Sequence, residues 1–99
     1  MHTIEWAAGL FEGEGCMYGR VVRLKMSDLD VVENFQEVVG CGTINQEHWK
    51  PHAHYKTLFY WQVGSRKAVI KVLTMLLPYL GLRRAYEALN ILDDLELAT

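Results

Sequence analysis

The chain has 99 residues, of which 51% are hydrophobic and 22% charged, and its formal net charge is −2 at pH 7. This length allows one domain over 1–99, and the composition is that of a globular rather than a disordered protein. The sequence has no membrane-length apolar run and no basic-then-apolar leader, so we expect a soluble intracellular protein, in a cytoplasm or an organelle. Cys16 and Cys41 form no zinc-like pattern and are expected to be buried free thiols.

Residues 3–13 are predicted to form an amphipathic helix, with Thr3 as N-cap and apolar residues at helical spacing from Ile4 to Phe11. The sequence GEG at 13–15 predicts its end. Glycine lowers helix stability by about 0.5–1 kcal/mol relative to alanine, and an acid is unfavourable at the C-terminal end of a helix. The three glycines and two acids of WAAGLFEGEG therefore need an explanation other than helix stability.

The next segments predict a hairpin and a second helix. Residues 16–26 contain strand formers around a turn at 18–20. Residues 27–40 begin with capping and acidic residues and end at Gly40, which is typical of a helix. Its apolar stripe consists of Val31, Val32, Phe35, Val38 and Val39.

A second hairpin and two helices complete the chain. Two predicted strands, 41–50 and 55–63, flank the sequence PHAH. In the second strand Thr57, Phe59, Trp61 and Val63 are expected on one face, and Lys56, Leu58, Tyr60 and Gln62 on the other. A helix over 65–80, capped by Ser65 and ended near Pro78, is followed by one over 82–97. In the second of these helices we expect inward-facing Leu82, Tyr86, Leu89 and Leu92.

The predicted fold class is α+β, in the order α-ββ-α-ββ-α-α. Four antiparallel strands in one sheet, with the helices on one face, is the natural architecture for this order. Such a sheet leaves its other face open.

The charge distribution indicates what the open face of that sheet could bind. The predicted strands and turns, 16–26 and 42–63, contain five basic residues and one acid, a net charge of +4, which leaves −6 on the remaining chain. A basic sheet on an acidic helical body is compatible with DNA lying across the strands. The preference of exposed edge strands for Lys and Arg explains some of this charge, but not the missing acids.

The stretch AAGLFEGEG, residues 7–15, resembles the signature helix of the LAGLIDADG homing endonucleases. Ala8-Gly9-Leu10 matches the AGL of the motif, Glu12 its first acid, and Glu14-Gly15 its final acid and glycine. The segments MSDLDVVENFQEVVGCG and LPYLGLRRA also resemble the family, and the element order fits. A motif in its predicted structural context is a stronger signal than the motif alone.

The resemblance implies a homodimer that pairs through this helix. Gly9 and Gly13 are four residues apart, so they share one helix face, and without side chains they let a second helix approach closely. A chain with one motif would pair with its own copy about a two-fold axis. The implied interface contains Ala8, Gly9, Glu12 and Gly13, with a structural role for Glu12.

The resemblance also implies a metal-dependent nuclease site. Glu14 would be the essential metal ligand, with an oxygen added by the carbonyl of Gly13. The expected ion is Mg²⁺, with Mn²⁺ or Ca²⁺ able to replace it for binding, because such ions prefer carboxylate, phosphate and water oxygens. Arg83 and Lys25 are the further catalytic candidates, and ordinary solvated helix charge is the alternative for Arg83.

Double-stranded DNA is the implied partner, and the first hairpin is shorter than is usual in the family. The homodimer is expected either to contact a shorter site or to depend on the second hairpin. The DNA-binding candidates are Arg20, Arg23, Lys25, Asn45, Gln46, His48, Lys50, His52 and Lys56.

Three alternatives remain open at the level of sequence. The first is a DNA- or RNA-binding protein of the same fold that does not cleave. The second is a structural zinc site formed by His48, His52 and His54, for which no tetrahedral set is complete. The third is a protein-interaction module that uses the aromatic residues Trp49, Tyr55 and Tyr60.

Overall fold

The computed structural model describes residues 2–49 and 56–97, without the side chains of His48, Trp49, Lys56 and Leu97. The element order is the predicted one. The elements are α1 (Ile4–Glu14), β1 (Gly15–Tyr18), β2 (Val21–Met26), α2 (Leu29–Val39), β3 (Thr43–Trp49), β4 (Lys56–Val63), α3 (Arg66–Leu76), a 3₁₀ turn (Leu77–Tyr79) and α4 (Leu82–Leu97).

The predicted caps at Thr3, Ser65 and Gly40 are confirmed, whereas Asp28, the N-cap residue of α2, makes no side-chain capping hydrogen bond. The Thr3 hydroxyl accepts a hydrogen bond from the Trp6 N–H at 3.1 Å, and the Ser65 hydroxyl accepts one from the Ala68 N–H at 3.3 Å. Gly40 ends α2 with φ 76°, a left-handed conformation that glycine adopts without a steric penalty.

The predicted end of the third helix is confirmed. It was expected near Pro78, and α3 ends at Leu76, where a 3₁₀ turn that contains Pro78 begins. Proline has no N–H to donate and its ring disfavours a continuing α-helix.

The sheet is antiparallel throughout, with strand order β1-β2-β4-β3. Gly15, Leu24, Trp61 and Ile44 form one row across all four strands. Because side chains alternate along a strand, this row faces the helices and its neighbouring rows face away. The predicted alternation of β4 is confirmed: Trp61 and Val63 are buried, whereas Tyr60 and Gln62 are partly exposed.

The core joins α1, α2 and the sheet through three buried rings. Phe11 stacks on Phe35 with centroids 6.3 Å apart, and Phe35 meets Trp61 edge-on at 4.8 Å. The Trp61 indole N–H donates to the Cys41 carbonyl at 2.7 Å, which satisfies its one polar atom. Both cysteines are free, as predicted, but Cys16 is exposed because its position in β1 faces away from the helices.

The orientation of α4 was predicted wrongly. Leu82 is 92% exposed and Tyr86 69%, and Leu89 is also exposed; only Leu92 packs partly against the core. Among the described side chains of α4, Ala88 and Leu95 are buried instead. They lie two turns apart, rotated by roughly a third of a turn around the helix axis from Leu82. The helix carries two apolar stripes, and contact with α3 selects the stripe that contains the small Ala88.

No helix within the described ranges is both long and apolar enough to span a membrane.

Candidate nucleic-acid interface and metal site

The C-terminal end of α1 carries the acid expected to bind metal. Glu14 is the last residue of α1, and the chain passes directly into β1 at Gly15. Its carboxylate is exposed and makes no hydrogen bond or ion pair within residues 2–49 and 56–97. A carboxylate at a helix C-terminus is electrostatically unfavourable, so this position suits a group that receives a cation.

The other acid of the motif is engaged inside the chain. The Glu12 carboxylate accepts a 2.6 Å hydrogen bond from the N–H of Gly81, which lies directly before α4. The Gly81 carbonyl in turn accepts from the Ala85 N–H at 2.8 Å, so it takes part in the first turn of that helix. A carboxylate is favourable at a helix N-terminus. Glu12 therefore links the end of α1 to the start of α4.

A second residue of α4 reinforces this link. Arg84 donates to the Gly15 carbonyl at 2.7 Å and to the Glu12 carbonyl at 3.4 Å, and its side chain is only 12% exposed. Arg83, the candidate from the sequence, is exposed and has no described polar partner. The structure thus places Arg84 against the end of α1 and leaves Arg83 at the surface beside it.

Lys25 approaches the same end of α1 through the sheet. Leu24 pairs with Gly15, so Lys25 and Glu14 each lie one residue from the same register pair. The Lys25 ammonium forms a 2.6 Å ion pair with Glu47 on β3. The Lys25 hydrogen bond, with a further contribution from the Arg23 charge, holds the pKa of Glu47 below its ordinary value. Lys25 is therefore paired in the free protein.

The two motif glycines leave a surface of α1 uncovered. Gly9 and Gly13 are exposed, and a Cβ added at either would meet no atom within 4 Å. Ala8, which the sequence analysis assigned to the same interface, is fully buried in the core of its own chain. Its helical position groups it with Ala7 and Phe11, and the expectation of an interface role for Ala8 is corrected accordingly.

The sheet face away from the helices is polar and uncovered by any helix of the described ranges. We call it the open face. None of its described side chains is buried. Its residues by register are Cys16, Tyr18, Val21, Arg23, Lys25, Thr43, Asn45, Glu47, Leu58, Tyr60 and Gln62.

Arg23 is the most constrained basic residue of the open face. Its Nε–H and one terminal nitrogen donate to the Gln62 side-chain oxygen, at 3.1 and 2.8 Å. Its guanidinium carbon lies 5.3 Å from the Tyr18 ring centroid and 4.8 Å from that of Tyr60. These distances are typical of cation–π contacts.

The remaining DNA-binding candidates do not share one surface. Asn45 lies exposed on the open face, and Lys56 falls at a register position of that face. Arg20 lies at the hairpin turn and pairs with Asp94 at 3.2 Å.

Two candidates of β3 fall at other register positions, and two lie outside the described residues. Gln46 pairs with Phe59 and His48 with Thr57, which are positions of the helix side of the strand, and Gln46 is exposed there. Lys50 and His52 are outside the described residues, as are His54 and Tyr55 of the alternative hypotheses.

Within the described part of the chain, no cluster of three or more His, Cys, Asp or Glu side chains could hold a metal ion.

Comparison with solved structures identifies the fold. The chain is similar to the homing endonuclease I-CvuI in complex with its target (Sro1.3) and 2 mM Ca, at TM-score 0.75 and 19% identity. It is also similar to I-CvuI in complex with the I-CreI target (C1221) and 2 mM Mg, with the DNA not cleaved, at TM-score 0.74 and 19% identity. Each match covers 94% of this chain but only 65% of the I-CvuI chain.

These matches confirm the predicted architecture, the LAGLIDADG homing endonuclease fold. No protein-family model matches the sequence, and no curated protein matches it. At this identity the likeness lies in the arrangement of the helices and strands.

Proposed function

We propose that this chain is a site-specific double-stranded DNA endonuclease of the LAGLIDADG family, which acts as a homodimer and needs a divalent metal ion. The observation that carries the proposal is the contrast between the two motif acids. Glu12 is bound to the start of α4, whereas Glu14 is exposed and unpaired among the described residues at the unfavourable end of α1.

The donor set fits Mg²⁺. The exposed Glu14 carboxylate and the Gly13 carbonyl are hard oxygen ligands of the kind this ion takes, usually together with phosphate and water oxygens. One protomer has no acidic cluster in its described residues, so Glu14 of a second copy and DNA phosphates complete the ligand set. When bound, the metal supplies activation of water and stabilisation of the leaving oxygen.

The residues of this chain hold Glu14 in position and neutralise the phosphate charge of the DNA. Arg84 and Glu12 fix the end of α1 against α4, and so hold the backbone that carries Glu14. Lys25 lies beside this end in the strand register, Arg83 is exposed next to Arg84 in α4, and both balance phosphate charge once DNA is bound. Lys25 must leave Glu47 to do so.

The homodimer forms on the exposed glycine surface of α1. Gly9 and Gly13 offer a backbone-to-backbone approach that no side chain of the described residues obstructs. Pairing about a two-fold axis brings two copies of Glu14 to the same end of the helix pair. The open faces of the two sheets then lie side by side along one duplex, as a palindromic site requires.

Selection from randomised duplex DNA tests the proposal. The purified protein is incubated with the library and Ca²⁺, the bound fraction is sequenced, and Mg²⁺ is then added and new ends are sequenced. A palindromic site that is bound and then cut supports a dimeric endonuclease. A site that is bound and never cut supports the non-cleaving alternative, and no enriched sequence contradicts the DNA-binding proposal.

Paired substitutions separate the roles of the two acids. Glu14→Gln should abolish cleavage and leave folding and DNA affinity in Ca²⁺ largely unchanged. Glu12→Gln keeps an acceptor for the Gly81 N–H and should retain cleavage. Equal loss of cleavage in both variants would contradict the assignment of Glu14 as the metal ligand.

The glycine surface is tested by Gly13→Val, with Thr74→Val on the exposed surface of α3 as control. Gly13→Val should yield monomers in sedimentation equilibrium, because branched side chains would force the paired helices apart. The control should remain dimeric. A Gly13→Val protein that dimerises like the control would contradict the two-fold model.

A further inference from the structure

Arg23 is held in one orientation by three neighbours on two adjacent strands. Gln62 lies directly opposite it in the β2–β4 register, and Tyr18 and Tyr60 are its diagonal neighbours on either side. The two rings bracket the guanidinium, at 5.3 and 4.8 Å from its central carbon, while the Gln62 oxygen fixes its rotation through two hydrogen bonds. A mobile arginine would lose this freedom on binding a ligand, whereas Arg23 has already lost it in the free protein.

The donors that Gln62 leaves free form a fork. A guanidinium has five N–H groups, and Gln62 takes Nε–H and one N–H of a terminal nitrogen. Three N–H groups remain, one on the terminal nitrogen that binds Gln62 and two on the other, and two of them, one from each nitrogen, lie side by side. Within the described ranges these donors have no partner. Two parallel N–H groups match two acceptors on a planar ligand.

The position of Arg23 in the sheet selects among such ligands. It lies on β2, one of the two central strands, and not on the edge strands β1 or β3. Strands are about 4.8 Å apart, and the major groove is about 12 Å wide. The proposed function lays the open face into the major groove with the strands along it. In that arrangement the central strands would lie over the base edges, and the edge strands nearer the phosphates.

Resting on the proposed function, we infer that Arg23 is a specificity-determining residue that reads one guanine in each half-site through its O6 and N7 atoms. Gln62, Tyr18 and Tyr60 are the positioning residues that aim its fork. Bidentate contact to these two acceptors is the commonest specific use of arginine in the major groove. A phosphate contact, by contrast, carries no base preference.

The test measures binding of the intact chain to its selected duplex in Ca²⁺, and to the same duplex with the preferred guanine replaced by 7-deazaguanine or by adenine. Wild-type affinity should fall by roughly 5- to 150-fold on replacement by adenine, the range of one good bidentate contact. Arg23→Lys keeps the charge and lacks the planar fork, so its preference for guanine over adenine should fall clearly below the wild-type value.

Two further variants make the test specific. Gln62→Leu removes the acceptor that fixes the fork and should weaken the guanine preference, with no additional effect in an Arg23→Lys background. Lys67→Ala removes an exposed cation of α3, on the helix side of the sheet, and should leave the preference at this base unchanged. Circular dichroism and thermal unfolding establish that each variant is folded.

The outcomes distinguish failure of the guanine contact by Arg23 from failure of the proposed function. Retention of the wild-type guanine preference by folded Arg23→Lys overturns the inference alone. Uniform weakening on all duplexes by Arg23→Ala, with a fall of about 0.9 in the slope of log K against log salt, identifies a phosphate contact and also overturns it. If the wild-type protein enriches no sequence, the proposed function fails and the inference fails with it.

Discussion

Alanine substitution of the two acids of the α1 motif should change the stability of the protein in opposite directions, although the acids lie two residues apart on one helix. Glu12→Ala removes the carboxylate that accepts from the Gly81 N–H at 2.6 Å and leaves an N–H at the start of α4 without its partner. Glu14→Ala removes an exposed carboxylate that has no described partner. The pair is a matched comparison, because residue type, helix and substitution are the same.

The expected magnitude for Glu12→Ala follows from its contact. Loss of a side-chain acceptor at a helix N-terminus costs about 0.5–2 kcal/mol, and the charge adds about 0.3–1 kcal/mol through the helix dipole. Since Glu12 is partly exposed and water replaces some of the bond, we expect a loss of about 1–2 kcal/mol in the free energy of unfolding. A domain of this size then loses about 4–16 °C in Tm.

Glu14→Ala should change the free energy of unfolding by less than about 0.5 kcal/mol, in the stabilising direction, because a negative charge leaves the C-terminal end of α1. The assay is thermal unfolding followed by circular dichroism, without divalent ions or DNA. Protein concentration is held fixed, since association makes Tm concentration-dependent. Equal losses for both variants, or no loss for Glu12→Ala, would refute the assigned roles.

Two other substitutions test the packing and the charge of the sheet. Gly42→Ala should lower the free energy of unfolding by about 2–5 kcal/mol in urea titrations, because φ is 100° and the added Cβ meets an indole ring. Gly64→Ala is the control. Its Cβ has its nearest contact at 3.9 Å, so it should change the free energy of unfolding by less than about 1 kcal/mol. Lys25→Met should raise the pKa of Glu47 towards its ordinary value in a carboxyl NMR titration, and an unchanged midpoint would contradict the ion pair. Because the folded-state pKa is lowered, the stabilisation by this pair is present above the ordinary pKa of glutamate and is lost as pH falls through the lowered value.

The sequence predicted the inward face of α1 and wrongly predicted that of α4. In α1 the only apolar stripe is the one that contains Phe11, so periodicity alone decided which face is buried. In α4, Leu82 and Tyr86 lie on one stripe and Leu95 on another. Contact with α3 decides which of the two stripes is buried, and that contact cannot be predicted from the sequence of α4 alone.

The sequence predicted the positions of the motif acids in α1, but not which arginine of α4 contacts that helix. The helical phase that makes Arg84 rather than Arg83 face α1 depends on where α4 begins. The bracketing of Arg23 depends on pairing between β2 and β4, which are separated by a helix and another strand. Local patterns do not fix that long-range register.

The link between α1 and α4 has a consequence for the order in which the protein becomes active during synthesis. Glu12 and the Gly81 N–H that binds it are 69 residues apart, and Arg84 is 72 residues from the Glu12 carbonyl. At about 5–20 residues per second, a ribosome adds the second partner roughly 4 to 14 seconds after the first. The motif helix therefore emerges early but is fixed in place late. Under the proposed function, a nascent or truncated chain lacks an ordered nuclease end, so DNA cleavage begins only after α4 has been made.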